Sequence, residues 1–178
     1  MDSEFLPAIY LGVLVILLAS STIVLFRQVI KTRGVETSFA RLQDKIKEGK
    51  GTAKDYYELG SIYLDKKLFV QSTTLFQKSL KELKEDVEPD NQALIYNALG
   101  YAYFVQEQYD MAIRNYKEAV KLYPEYVIAL NNLANVYEKK QMVNKAIETY
   151  QESLKYEPEN AIAKRRSESL RKRLVMSN

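Results

Sequence analysis

The 178-residue sequence contains neither cysteine nor histidine. That excludes thiolate and imidazole metal sites, thiol nucleophiles, disulfides and any Ser-His triad. It also lacks a glycine-rich phosphate loop of the kind nucleotide enzymes use. The carboxylates that remain form no reacting constellation. Acid pairs such as Glu85-Asp86 fall in loops or on outward helix faces, and Ser20-Ser21 lies inside an apolar stretch. The sequence therefore predicts no catalytic residue, no cofactor and no metal, and reads as a non-enzyme. A basic recognition face is missing too. Residues 27–54 hold eight Lys/Arg against three acids, residues 161–178 hold six against one, and residues 55–160 hold 12 against 17. An acidic body between basic flanks does not fit nucleic-acid binding, which puts the basic excess on the reading surface.

Formal charge is also absent from Phe5 to Phe26, "FLPAIYLGVLVILLASSTIVLF", a run of 22 residues. At about 1.5 Å per residue a helix of that length reaches roughly 33 Å, enough for a bilayer core of about 30 Å. A cleaved signal peptide would begin with basic residues and carry a shorter apolar core; here Asp2 and Glu4 come first. The segment is expected to be a single transmembrane anchor. Arg27, Lys31 and Arg33 follow it directly, so the positive-inside tendency puts the remaining chain on the cytoplasmic or equivalent side. Ala8 and Gly12 make one small-xxx-small pair, a weak packing signal. Val35, Phe39, Leu42 and Ile46 then recur at helical spacing and predict a short amphipathic helix. Gly49-Lys50-Gly51 should end it, with Thr52 capping the next helix.

The rest of the chain repeats. Tyr96, Leu99, Gly100, Tyr103, Ala112, Tyr116, Ala119 and Pro124 recur 34 residues later as Leu130, Leu133, Ala134, Tyr137, Ala146, Tyr150, Ser153 and Pro158. Forty residues earlier they are Tyr56, Leu59, Gly60, Tyr63, Ser72, Phe76 and Ser79, with Lys84 at the proline position. The six extra residues fall in "EDVEPDNQ", where Pro89 is expected to end a lengthened second helix. Small residues let two antiparallel helices approach, aromatics fill the space beside them, and proline stops the second helix. One such unit cannot bury its apolar face alone, so three must stack. After Pro158 the pattern fades: Lys164, Ser167, Glu168 and Arg171 replace the large and small signature residues, as a solvent-facing capping helix would have them.

This spacing resembles the tetratricopeptide repeat. The expected fold is all-α: an N-terminal transmembrane helix (5–26), a basic connector with a short amphipathic helix (27–52), repeats at 53–92, 93–126 and 127–160, and a basic capping helix and tail at 161–178. In solenoids of this type the first helix of each unit faces the ligand. The resemblance thus points to a protein-binding groove at Tyr57, Ser61 and Leu64, at Asn97, Tyr101 and Phe104, and at Asn131, Asn132, Asn135 and Glu138. The asparagines offer a peptide backbone both donor and acceptor; Tyr101 and Phe104 can hold an apolar side chain. Some relatives of this class clamp the carboxylate of a chaperone tail with lysine, asparagine and arginine. Here Tyr57 or Asn97 stands at the first lysine, and Arg166 alone is available at the far end, which disfavours that role.

Taken whole, the architecture resembles the small photosystem I assembly factors of cyanobacteria and plastids, related to the plant pale-yellow-green type. The resemblance implies a single-pass thylakoid protein with its repeats on the stromal or cytoplasmic side. It would bind protein clients, such as photosystem I subunits or assembly intermediates, and no nucleic acid. Two alternatives share the plan: a bacterial envelope scaffold and an organelle import receptor.

Overall fold

The computed structural model describes residues 6–84 and 88–177, with side chains of 6–9, 29–32 and 177 left aside. Phe5, the Ala8 and Lys31 side chains and the Glu85-Asp86 pair lie outside that description. The described chain is helical throughout: α1 (Leu6–Lys47), α2 (Ala53–Asp65), α3 (Phe69–Lys81), α4 (Pro89–Val105), α5 (Tyr109–Leu122), α6 (Val127–Lys139), α7 (Val143–Tyr156) and α8 (Ala161–Ser177). It divides into two compact units, residues 1–44 and 45–178.

In the first unit, α1 is long and apolar enough, by length and composition, to cross a membrane. Leu11 through Phe26 present large apolar side chains to the surroundings. The separate amphipathic helix expected after the apolar run does not form; Val35, Phe39, Leu42 and Ile46 continue the same helix. No proline interrupts it beyond Pro7, and a single interior glycine such as Gly34 costs only about 1 kcal/mol.

The second unit begins in the last turn of α1, at Lys45. Gly49 takes a positive φ of 71°, which glycine adopts without a Cβ penalty. Thr52 then caps α2 in a reciprocal box: its Oγ1 accepts from the Asp55 N–H, and Asp55 accepts from the Thr52 N–H at 2.8 Å. The Lys45 ammonium also donates to Asp55, at 2.6 Å. Burial alone would raise the Asp55 carboxyl, but these donors outweigh it and bring its pKa from 3.8 to about 2.

Helices α2/α3, α4/α5 and α6/α7 form three antiparallel pairs, and α8 packs on α7. Each pair turns through a residue in the left-handed region that is not glycine: Lys67, Glu107 and Gln141, with φ of 62°, 59° and 58°. The strain is held by two backbone bonds per turn, as when Glu107 N–H donates to Phe104 and Gln108 N–H to Tyr103. Within each pair an aromatic ring lies on the partner backbone. Phe76, Tyr116 and Tyr150 are buried, and a Cβ added to Gly60 or Gly100 would sit 2.8 Å from the Phe76 or Tyr116 ring. In the first pair, serines replace the small alanines of the second and tie the helices directly: Ser72 Oγ donates to Gly60 O at 2.8 Å and Ser79 Oγ to Ala53 O at 2.7 Å.

One expectation is corrected. The extra residues do not lengthen the second helix of the first pair, since α3 stops at Lys81; residues 89–92 instead lengthen α4 at its start, and Pro89 opens that helix rather than closing α3. Proline suits the first helical turn because its missing N–H would have no intrahelical partner there.

Two outcomes test this packing. Gly100→Val drives two methyls into the Tyr116 ring and should lower unfolding free energy by about 2 kcal/mol or more, measured by urea unfolding followed at the helical circular dichroism band. The Asp55 pKa is depressed, so its stabilisation is complete above the ordinary carboxylate value and disappears as pH falls from about 4 to about 2. Discounted for the partly exposed Lys45, this is about 1–2 kcal/mol; Asp55→Asn should lose that part of the acid dependence and unfold more easily at pH 7.

Candidate protein-binding groove

The first helices of neighbouring pairs touch directly, α2 with α4 and α4 with α6. They therefore lie side by side along one flank of the stack, and their outward positions form one row. On α2, Tyr57 is half-buried with its ring 5.7 Å from Phe76. Ser61 donates its hydroxyl to Tyr57 O at 3.0 Å, and Leu64 packs partly on the core. On α4, Tyr101 is 43% exposed and its ring lies 6.5 Å from that of Phe104, which also meets Tyr109 at 5.9 Å.

The asparagines are largely engaged with one another. Asn97 Nδ2 donates to the Tyr126 hydroxyl at 3.2 Å, and Asn97 Oδ1 accepts from Asn132 Nδ2 at 3.0 Å. Asn131 Nδ2 donates to Asn160 Oδ1 at 3.3 Å; that same oxygen caps α8 by accepting from the Ala163 N–H. The Asn131 Oδ1 atom is buried with no partner among the described residues. Asn135 is half-buried, and the described residues include no hydrogen bond to its side chain. These amides thus fix α4 to α6 and α6 to the cap of α8, while the Asn135 amide has no hydrogen-bond partner among the described residues.

Glu138 is tied down as well. Its Oε1 pairs with Arg166 at 3.2 Å and Arg173 at 3.4 Å, both from α8. Burial raises the pKa of the neighbouring Tyr150 hydroxyl, against the lowering influence of Arg166, so the phenol stays neutral beside the ion pair. Arg166, the one cation available for a chaperone-tail clamp, is held by this carboxylate.

Reading the sequence missed part of the row. The second residue of each repeat is also outward: Lys54, then Leu94 at 39% exposed and Ile128 at 59%. Together with Tyr57, Ala53, Leu83, Asn91 and Ile95, Lys54 and Leu94 line a cleft of about 450 Å³ between α2 and α4. The signal was available, since Leu94 and Ile128 are 34 residues apart; large apolar residues there read as core until the packing turns them out.

Known proteins share this arrangement. A family model described as TPR repeat matches residues 100–141, and one described as tetratricopeptide repeat matches residues 127–160. A protein of Cyanophora paradoxa called ycf37 is 40% identical over 64% of this chain and 64% of its own. The chloroplastic tetratricopeptide repeat domain-containing protein PYG7 of Arabidopsis thaliana is 34% identical over 72% of this chain, and the match spans 42% of that longer protein. The ycf37 protein of Guillardia theta is 32% identical over 76% of this chain and 75% of its own. Among solved structures, MamA superposes with a TM-score of 0.70 at 22% identity, covering 79% of each chain. The first repeat domain of Spaghetti, solved with an HSP90 peptide, gives 0.63 at 20% identity, covering 70% of this chain and 94% of that one. At those identities the structures share the fold alone.

Stacked helix pairs with an outward row of first-helix side chains define a tetratricopeptide-repeat protein, a class built for protein–protein interaction rather than catalysis. Within it, this chain belongs to the ycf37 family.

The split between engaged and open amides has a measurable consequence. Asn97→Ala removes two bonds between α4 and α6 and should cost about 1–2 kcal/mol of stability, whereas Asn135→Ala should change the urea midpoint little. Equal destabilisation by both would mean that the amide network does not carry the α4–α6 contact.

Proposed function

We propose that this protein is a membrane-anchored scaffold that holds protein clients on its first-helix row and assists the assembly or stability of photosystem I. The observation that carries the proposal is membership of a family whose Arabidopsis relative is named chloroplastic, in a chain that joins repeats to a helix apolar enough to span a bilayer. The client site is the row through Tyr57, Ser61, Leu64, Asn97, Tyr101, Phe104, Asn131, Asn132, Asn135 and Glu138, with Tyr101 and Asn135 the members most open to a partner. The site of action is the thylakoid membrane, with the repeats on the stromal or cytoplasmic side, as Arg27, Lys31 and Arg33 after the apolar run favour.

The mechanism is one of local concentration. An anchor confines the row to a membrane surface, so a client already in that membrane is met at high effective concentration and modest affinity suffices. Modest affinity also lets the factor leave a finished complex.

The test is affinity purification of the tagged full-length protein from gently solubilised membranes, with mass spectrometry of what accompanies it. Substoichiometric photosystem I subunits, enriched in immature complexes, are the expected result. Secretion, division or import components without photosystem subunits would leave the repeat fold standing and overturn the assignment.

A further inference from the structure

We propose that the segment this row receives is acidic and apolar, bound with its carboxylates against α8. The inference rests on the client-binding reading above and gives the partner a chemistry.

It begins with the 34-residue register. Asn97 and Asn131 lead to Arg165, Tyr101 and Asn135 to Ser169, and Phe104 and Glu138 to Lys172. Thus α8, expected to be a cap with an outward solvated face, continues the first-helix row, and it places cations at two of those positions. Arg165 and Lys172 are exposed, and the described residues contain no ion pair to either. Their neighbours Arg166 and Arg173 are different, since Glu138 holds both. Glu138 is the only carboxylate on α6, so that pairing leaves no acid on the adjoining first helix to compensate Arg165 and Lys172.

The rest of the row is not charged in the same way. Its middle is neutral, with the Asn97 and Asn132 amides bonded to each other. One edge is apolar, because Leu94 and Ile128 are followed in register by Ile162, which is 56% exposed. The cleft beside Leu94 supplies a place for an apolar side chain. A segment that complements this surface carries apolar residues for the Leu94–Ile128–Ile162 edge and Asp or Glu for the α8 end. A basic amphipathic segment would bring like charges together there, which costs affinity and slows encounter.

The experiment pans a random dodecapeptide phage library on the immobilised full-length chain in detergent micelles. Enriched peptides are then synthesised and measured by fluorescence polarisation against the unaltered chain and two variants. Arg165→Glu with Lys172→Glu reverses the exposed cations. Leu94→Asp with Ile128→Asp spoils the apolar edge. All four positions are exposed, and an unchanged helical circular dichroism signal verifies each fold. The expected result is peptides rich in Asp or Glu and apolar residues, weakened about tenfold or more by the charge reversal, weakened by added salt, and lost on the Leu94/Ile128 variant. Neutral or basic peptides, or acidic ones indifferent to the charge reversal, would overturn the acidic partner while the row itself still stands if the Leu94/Ile128 variant abolishes binding. Peptides that bind that variant equally well, or no enrichment at all, would overturn the client-binding row and this inference with it.

Discussion

Each helix pair closes where an aromatic ring meets a stretch of backbone that has little or no side chain, and the second unit depends on that contact. Gly60 admits Phe76 and Gly100 admits Tyr116, each so closely that a Cβ would overlap the ring. In the third pair Ala134 takes the same place against Tyr150, and both are buried, so this pair tolerates one carbon more. The ring burial is the main apolar gain of each pair. The close approach it needs dictates the small residues at Ala112 and Ala146, and Ser72, which replaces them in the first pair, turns the same proximity into a hydrogen bond.

Once the pairs are closed, a shared apolar core joins them, and polar side chains of the first helices add fixed contacts between the later ones. Asn97, Asn132 and Tyr126 join α4 to α6; Asn131 and Asn160 join α6 to the start of α8; Glu138 with Arg166 and Arg173 joins α6 to its body. A half-buried amide or carboxylate without such partners would be costly. The same groups that looked like recognition elements therefore also hold the row in register. On the proposed reading a partner would meet the remainder: Tyr101, Asn135, the Leu94–Ile128–Ile162 edge, and Arg165 and Lys172 of α8, which have no ion pair among the described residues. A rigid row with a few open side chains is suited to binding without rearrangement, because little ordering cost falls on the protein.

The connection before α4 shows how a local signal can be read in the wrong direction. Pro89 lies near the position where Pro124 and Pro158 close the second helices of the later pairs, and by analogy it should close α3. Its ring is equally compatible with a helix start, and nothing within a few residues of Pro89 discriminates. The same holds within α1, after Phe26, where a change from uniformly apolar to striped sequence suggested a break that no proline or turn enforces.

Sequence alone determined the number and handing-over of the helix pairs, because the large and small residues recur at fixed spacing and only paired helices satisfy them. It determined the Thr52 cap and the Gly49 stop, since capping and positive φ are local chemistry. It determined the apolar character of α1, which composition defines. Tertiary structure decided which polar residues of the first helices are open and which are taken. Asn97 and Asn132, 35 residues apart, bond to each other, and so do Glu138 and Arg173, also 35 apart. One repeat and one residue separate each pair, a relation that appears only when helices are stacked. It also decided that Glu138 holds Arg166 and Arg173 while Arg165 and Lys172 have no ion pair among the described residues, because that pairing depends on how α6 and α8 stack.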